Sequence, residues 1–331
     1  MSASNERFEP TLRFPRQSPS EYRFGSCFEW KCVERNTPVT ASERDVHVAD
    51  GRTLRVLEEG DPQGRPVFFL HGSPGCRFLF EEQISDASRR GIRLIGHDRP
   101  GYGGSTPKPG RRIVDEAADV AAIADALGID RFAVYGHSGG GAPTLACAAR
   151  LPDRVVGASC LAGVAPYPSE GLDWLAGAGE LNVDDFKLML SDPAAWESKT
   201  ASDVAIMAKE TPEEVVASLS SLLSDVDRAA FTGKAVEFFM KQSREGYRSG
   251  ISGMVDDSLS DVTPWGFELS DVRVPLQIWH GKQDKFVPFS HGEWLAAHLP
   301  QAEIHLEPSE GHISLIFNRV PSVHKWLASK F

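Results

Sequence analysis

Phe132-Ala133-Val134-Tyr135-Gly136-His137-Ser138-Gly139-Gly140 joins a short apolar run to a glycine-rich turn centred on one serine, and an Ala-rich stretch then runs through Ala146 to about Arg150. The apolar run reads as a buried strand and the Ala-rich stretch as a helix opening at Gly140. A Gly-x-Ser-x-Gly squeezed between strand and helix makes a sharp turn. The serine backbone is strained there, and the residues two positions away on each side must be small. Glycine stands at both, 136 and 140. The motif alone is a weak signal, but its placement thrusts the Ser138 hydroxyl out of the sheet at the positive end of a helix.

A serine hydroxyl is nearly inert at neutral pH and needs a base within hydrogen-bond reach, with a third group to fix that base's tautomer. Of ten histidines, His312 in Ser309-Glu310-Gly311-His312-Ile313 follows the last expected strand, where a loop can carry it over the sheet end to Ser138. His137 adjoins the serine but should point elsewhere, since successive side chains on a tight turn diverge. His71, His97 and His280 end strands and are assigned to structure. The acid is Asp284, in the loop after the seventh strand, which gives the chain order Ser, Asp, His. Glu310 is read as a solvated loop charge, and Asp256 and Asp257 fall in cap-like sequence.

Acyl transfer also needs donors aimed at the developing oxyanion, each worth on the order of 3 kcal/mol. The N–H of Gly139, at the helix start, is one. His71-Gly72-Ser73-Pro74-Gly75 follows the third strand, and because Pro74 has no N–H, Ser73 is the second. Gly96 to Ser105 is a run of turn formers at the same rim, with Asp98 and Arg99 holding loops together. No P-loop, metal-protease or dinucleotide pattern occurs, and no cofactor is implied.

Working outward, Val46 and Val48, the turn Ala49–Arg52, then Leu54, Val56 and Leu57 form a hairpin. Further strands are expected at 66–70, 92–96, 132–135, 155–161, 276–279 and 303–306, and a helix at 114–127 that stops at Gly128. Strand and helix in alternation predict an α/β fold with a mostly parallel eight-stranded sheet flanked by helices. Residues 166–265 break the alternation and read as an inserted helical cap. Val215, Val216, Leu219, Leu222, Leu223 and Val226 repeat there at helical spacing. The catalytic core is then 45–165 and 266–331.

Residues 1–44, rich in Arg, Glu, Ser and Pro, read as an N-terminal arm whose scattered aromatics could pin it to the body or to a second copy in a homo-oligomer. A net charge of −11 argues against nucleic acid or an anionic membrane as partner. No membrane span or signal-peptide pattern is seen, so a cytoplasmic protein acting on a small-molecule substrate is expected. The five cysteines include no CxxC pair and fit neither a disulfide framework nor a zinc site. Cys147 and Cys160 should be buried thiols, and Cys76 a bystander near the active site.

The segments H-G-S-P-G, D-R-P-G-Y-G-G-S, G-H-S-G-G-G, H-G-K-Q-D-K-F-V-P and E-G-H, in this order from about residue 45 onward, resemble those of the α/β-hydrolase superfamily with a helical cap between strands six and seven. The resemblance implies the fold and a Ser138-Asp284-His312 triad. It does not select among esterases, lipases, aminopeptidases, peroxidases and lyases. Serine at 138 disfavours the epoxide hydrolases and haloalkane dehalogenases, which use aspartate. The proline-iminopeptidase group is similar around H-G-x-P-G but usually carries tryptophan where this chain has Gly139. A hydrolase of small or medium carboxylic esters is the leading expectation. The alternatives are a serine aminopeptidase with cap acids (Glu180, Asp184, Asp185, Glu213 or Glu214) for a free amine, and a ligand-binding member without turnover.

Overall fold

A computed structural model describes residues 41–331. Strands β1 (Ser42–His47), β2 (Thr53–Gly60), β3 (Arg65–Leu70), β4 (Ile92–His97), β5 (Phe132–His137), β6 (Val155–Leu161), β7 (Leu276–Gly281) and β8 (Glu303–Glu307) form one sheet in the order β1-β2-β4-β3-β5-β6-β7-β8. β2 runs antiparallel to both β1 and β4, and every later pairing is parallel. β1 begins at Ser42, so the last residues assigned to the arm belong to the sheet. The rest of the arm, with Cys27 and Cys32, lies outside the described residues.

Alternation along each strand divides the core into two layers. Phe68 and Leu70 point to one face, where they pack with Val120 and Ile123 of α2 (Asp115–Ala126), Leu145 and Ala146 of α3 (Gly141–Arg150) and Leu295 of α10 (Phe289–His298). Val67 and Phe69 point to the other, against Ala87 of α1 (Glu81–Arg89) and Leu315, Val320, Val323 and Leu327 of α11 (Ile313–Ala328). A sheet covered on both sides explains why its strands read as continuous apolar runs rather than alternating ones. α1, α10 and α11 had no clear signal in sequence, and α11 carries Pro321 in its interior. Its buried stripe overrides the usual cost of that proline. Cys76, Cys147 and Cys160 are buried free thiols.

Between β6 and β7 lie α4 (Glu180–Ser191), α5 (Pro193–Met207), α6 (Pro212–Ser218), α7 (Asp225–Ala230), α8 (Lys234–Gly246) and α9 (Ser252–Asp261). The apolar repeat from Val215 to Val226 is therefore two helices rather than one. Thr211 caps α6, with its Oγ1 accepting from Glu214 N at 3.3 Å, and Ser224 caps α7. Val215 on α6 and Leu223 in the link before α7 share a third apolar cluster with Phe231, Val236 and Met240.

No helix among the described residues is long and apolar enough to cross a membrane. The parallel order places the loops after β3, β4, β5, β7 and β8 at one sheet edge, the edge where folds of this type bind ligands.

The β1–β2 turn is fastened to α2 by a buried ion pair. Arg52 donates to both carboxylate oxygens of Asp119, at 3.0 and 2.6 Å. Arg52→Leu should lower stability by roughly 3–5 kcal/mol, because Asp119 is left charged and alone. In urea unfolding, Arg52→Leu combined with Asp119→Leu should recover most of that loss.

Candidate active site

Ser138 has φ 57°, in the left-handed region that side chains other than glycine seldom occupy. Its neighbours explain how the turn closes. A Cβ on Gly136 would lie 2.5 Å from Thr144 Oγ1, and one on Gly140 would lie 2.7 Å from the Leu70 carbonyl carbon and 2.8 Å from His71 O. A Cβ on Gly72 would meet Ser138 Cβ at 3.1 Å. β3 and β5 can thus approach closely enough to set the Ser73 loop beside the serine.

His312 and Asp284 come from the loops after β8 and β7. Asp284 Oδ2 lies 2.7 Å from His312 Nδ1, and its Oδ1 accepts from the N–H groups of Phe286 at 2.8 Å and Val287 at 2.9 Å. Burial pushes this carboxyl up, but His312 and those donors outweigh it and hold it below its ordinary value. Phe286 stacks on the His312 ring at 4.7 Å. No hydrogen bond joins Ser138 to His312; the two side chains face one cavity. Such bonds are often long before substrate binds and tighten in the complex.

Neither the N–H of Ser73 nor that of Gly139 donates to another group among the described residues. The two backbones are adjacent, since a Cβ on Gly139 would lie 3.1 Å from Ser73 N and would overlap Ser73 Oγ. The Ser73 hydroxyl is itself tied down. It bonds to the Asp257 carboxylate and accepts from Arg99 Nη2 at 3.0 Å. Asp257, on α9, also receives Arg99 at 2.7 and 2.6 Å, Tyr102 Oη at 2.7 Å and Arg111 at 2.5 Å. Burial raises this carboxyl, but Arg111 and Arg99 reverse the sign and hold it far below the usual carboxylate range. The sequence held no signal for this pairing, because Asp257 lies 158 residues from Arg99.

The cavity has a volume of about 620 Å³, with Trp174, Phe186, Met189, Trp196, Phe238 and Phe239 among its walls. Lys199 is the one Lys or Arg in its lining among the described residues, and it is paired with Asp185 at 2.8 Å and Asp203 at 2.6 Å. Asp261 faces the cavity with no hydrogen bond or ion pair among the described residues. Burial and the neighbouring Asp257 charge push its carboxyl up to about 7.

Residues 65–319 match the family described as alpha/beta hydrolase fold. The chain belongs to the α/β-hydrolase fold family. It is 30% identical over 265 residues, covering 78% of this chain and 88% of the other, to AB hydrolase superfamily protein YisY of Bacillus subtilis. It is 26% identical over 286 residues, 82% of this chain and 89% of the other, to a 2-hydroxy-6-oxononadienedioate/2-hydroxy-6-oxononatrienedioate hydrolase of Cupriavidus pinatubonensis. Among solved structures, the esterase EaEST of Exiguobacterium antarcticum superposes with a TM-score of 0.60 at 20% identity, over 87% of this chain and 98% of that one. At that identity the likeness speaks for the α/β-hydrolase fold alone.

Several expectations for this hydrolase-fold chain change on inspection. Glu310 is not a solvated charge: it is 3% exposed and bonded to Asn318 at 3.0 Å and Arg319 at 2.8 Å. Asp256 and Asp257 lie on α9, between β6 and β7, and Asp256 accepts from Gly110 N at 3.0 Å. Of the five acids considered for an amine, only Asp185 lines the cavity, and Lys199 already pairs with it. His137 does turn away from the serine, and its Nε2 donates to the His312 carbonyl at 3.0 Å. Burial, with His312 beside it, pushes this ring down to about 3, so it stays neutral. His71 Nε2 accepts from Arg99 N at 3.1 Å, His97 bonds Glu116 at 2.7 Å, and His280 bonds the Val287 carbonyl at 2.9 Å.

Two outcomes follow from this geometry. Gly140→Ala should cost about 1–3 kcal/mol or more in thermal denaturation, because the new methyl meets main chain that cannot move aside. Asp261 keeps its proton in the folded state up to about pH 7, whereas the unfolded chain releases it near 4, so its contribution becomes unfavourable as pH rises between those values. Asp261→Asn should therefore match wild-type Tm at pH 4 and exceed it at pH 8.

Proposed function

We propose that this protein is a serine hydrolase that cleaves small or medium carboxylic esters through an acyl-enzyme, with Ser138 as nucleophile, His312 as base, Asp284 as the orienting acid, and the N–H groups of Ser73 and Gly139 as oxyanion donors. The observation that carries this reading is Ser138, strained at φ 57° and facing the cavity that His312 also lines, with the His312 ring tied to Asp284 at 2.7 Å.

In this reading Asp284 keeps the proton of His312 on Nδ1, which leaves Nε2 free to accept the Ser138 proton as Oγ attacks the acyl carbon. The carbonyl oxygen gains charge between the two amides. His312 returns the proton to the departing alcohol, and water then attacks the acyl-enzyme by the same route. Helices within 166–265 serve as a cap whose aromatic side chains enclose the acyl group.

The cavity's charge supports a neutral ester. A dienedioate, as in the name of the Cupriavidus relative, carries two carboxylates, and no unpaired Lys or Arg lines the cavity among the described residues to receive one. Ser73 Oγ occupies the space beside Gly139, which speaks against the tryptophan of the iminopeptidase elbow and so against that activity.

A fluorophosphonate probe should label the wild type and leave Ser138→Ala unmarked; labelling of the alanine variant at an undiminished rate would refute the nucleophile. Asp284→Asn should fold normally yet lose about 10⁴-fold in kcat on short-chain aryl esters, since the amide favours the wrong imidazole tautomer. A loss under tenfold would remove Asp284 from the triad.

A further inference from the structure

The main chain of His312 is held by a residue from outside the triad. α11 begins at Ile313, directly after His312, and the first N–H groups of a helix have no partner within it. The residue that would normally cap them with its own side chain is His312, whose ring is turned to Asp284 instead. The missing acceptor comes from Asp227, on α7 among the inserted helices. Its Oδ2 accepts from His312 N at 2.9 Å, and its Oδ1 accepts from Ile313 N and Ser314 N, both at 2.9 Å. Asp227 is fully buried and makes no ion pair among the described residues, and Ser224 Oγ donates to its Oδ2 at 3.0 Å. The glycine of Glu310-Gly311-His312 belongs to the same arrangement: a Cβ at 311 would sit 2.5 Å from the Asp227 carboxyl carbon.

We propose that Asp227 is a positioning residue for the reaction, fixing the backbone of His312 so that its ring is aimed at Ser138, and that the inserted helices thereby control the base as well as enclosing the substrate. This rests on the reading of His312 as base. With His137 on the carbonyl and Asp227 on the N–H, the His312 peptide groups are gripped on both sides. The two carboxylate oxygens divide the work. Oδ1 caps α11 and Oδ2 holds His312, so an amide at 227 can keep the cap through its oxygen while its NH₂ meets the His312 N–H donor to donor. A misplacement of the base by about 1 Å is enough for a loss on the order of 10²-fold.

The test uses the full chain with an aryl butyrate ester and a fluorophosphonate probe. For Asp227→Asn, kcat and the labelling rate should fall about 10- to 100-fold with KM within about twofold of wild type, at temperatures where circular dichroism shows the variant folded. The downfield proton resonance of His312 Nδ1–H, assigned by its loss in His312→Ala, should shift or broaden. A residue that only stabilises the fold would lower Tm and leave kcat, KM and that resonance unchanged; this result overturns the proposal. Should Asp227→Asn not fold, Ser224→Ala, which removes one support of Oδ2, is read instead: a drop in kcat at constant KM supports the proposal, and wild-type kcat overturns it. Wild-type labelling of His312→Ala would overturn the base itself, a failure distinct from that of Asp227.

Discussion

The site depends on the left-handed backbone of one residue, Ser138, where β5 turns into α3. A serine pays a steric penalty there, and the turn persists because its surroundings leave it no alternative. Glycines at 136 and 140 allow β3, β5 and the start of α3 to approach within distances that a side chain would prevent, and Gly72 sits tightly against Ser138. The same closeness brings the Ser73 loop against Gly139 and so decides where their two amides sit. Strain at the serine and proximity of the amides are two results of one packing arrangement.

Around this turn the polar groups act as fasteners, and each draws on a distant part of the chain. Asp257 on α9 gathers Arg99, Arg111, Tyr102 and the Ser73 hydroxyl into one buried cluster. Asp227 on α7 takes three N–H groups at the start of α11. Buried carboxylates are costly unless fully partnered, and these two are satisfied by different means, one by cations and one by main-chain donors. Both reside on helices inserted between β6 and β7, so the insertion is bonded to the loops that carry the proposed chemistry at two separate points. Asp261, one turn beyond Asp257, has no such partner among the described residues and is pushed toward neutrality.

Much of this was legible in the sequence because it is local. Phe132–Gly140 carries a strand and the turn into α3 within nine residues, and the apolar runs of the parallel strands follow from burial on both faces. The candidate triad was legible through chain order and position after strands. What the sequence concealed depends on pairing across long separations: Asp257 with Arg99 and Asp227 with His312. A carboxylate on an amphipathic helix has the same local pattern whether it meets water or a buried arginine. The division of the 215–226 stripe into α6 and α7 was hidden because the apolar spacing runs on through the link, where Leu219 and Leu223 pack on the same cluster as Val215.

The account is tested most directly by a crystal structure of the protein after reaction with a small fluorophosphonate ester. It predicts phosphorus bonded to Ser138 Oγ, the phosphoryl oxygen about 3 Å from both Ser73 N and Gly139 N, and His312 Nε2 within hydrogen-bond reach of Oγ. Phosphorus on another side chain, or a phosphoryl oxygen turned away from both amides, would contradict it.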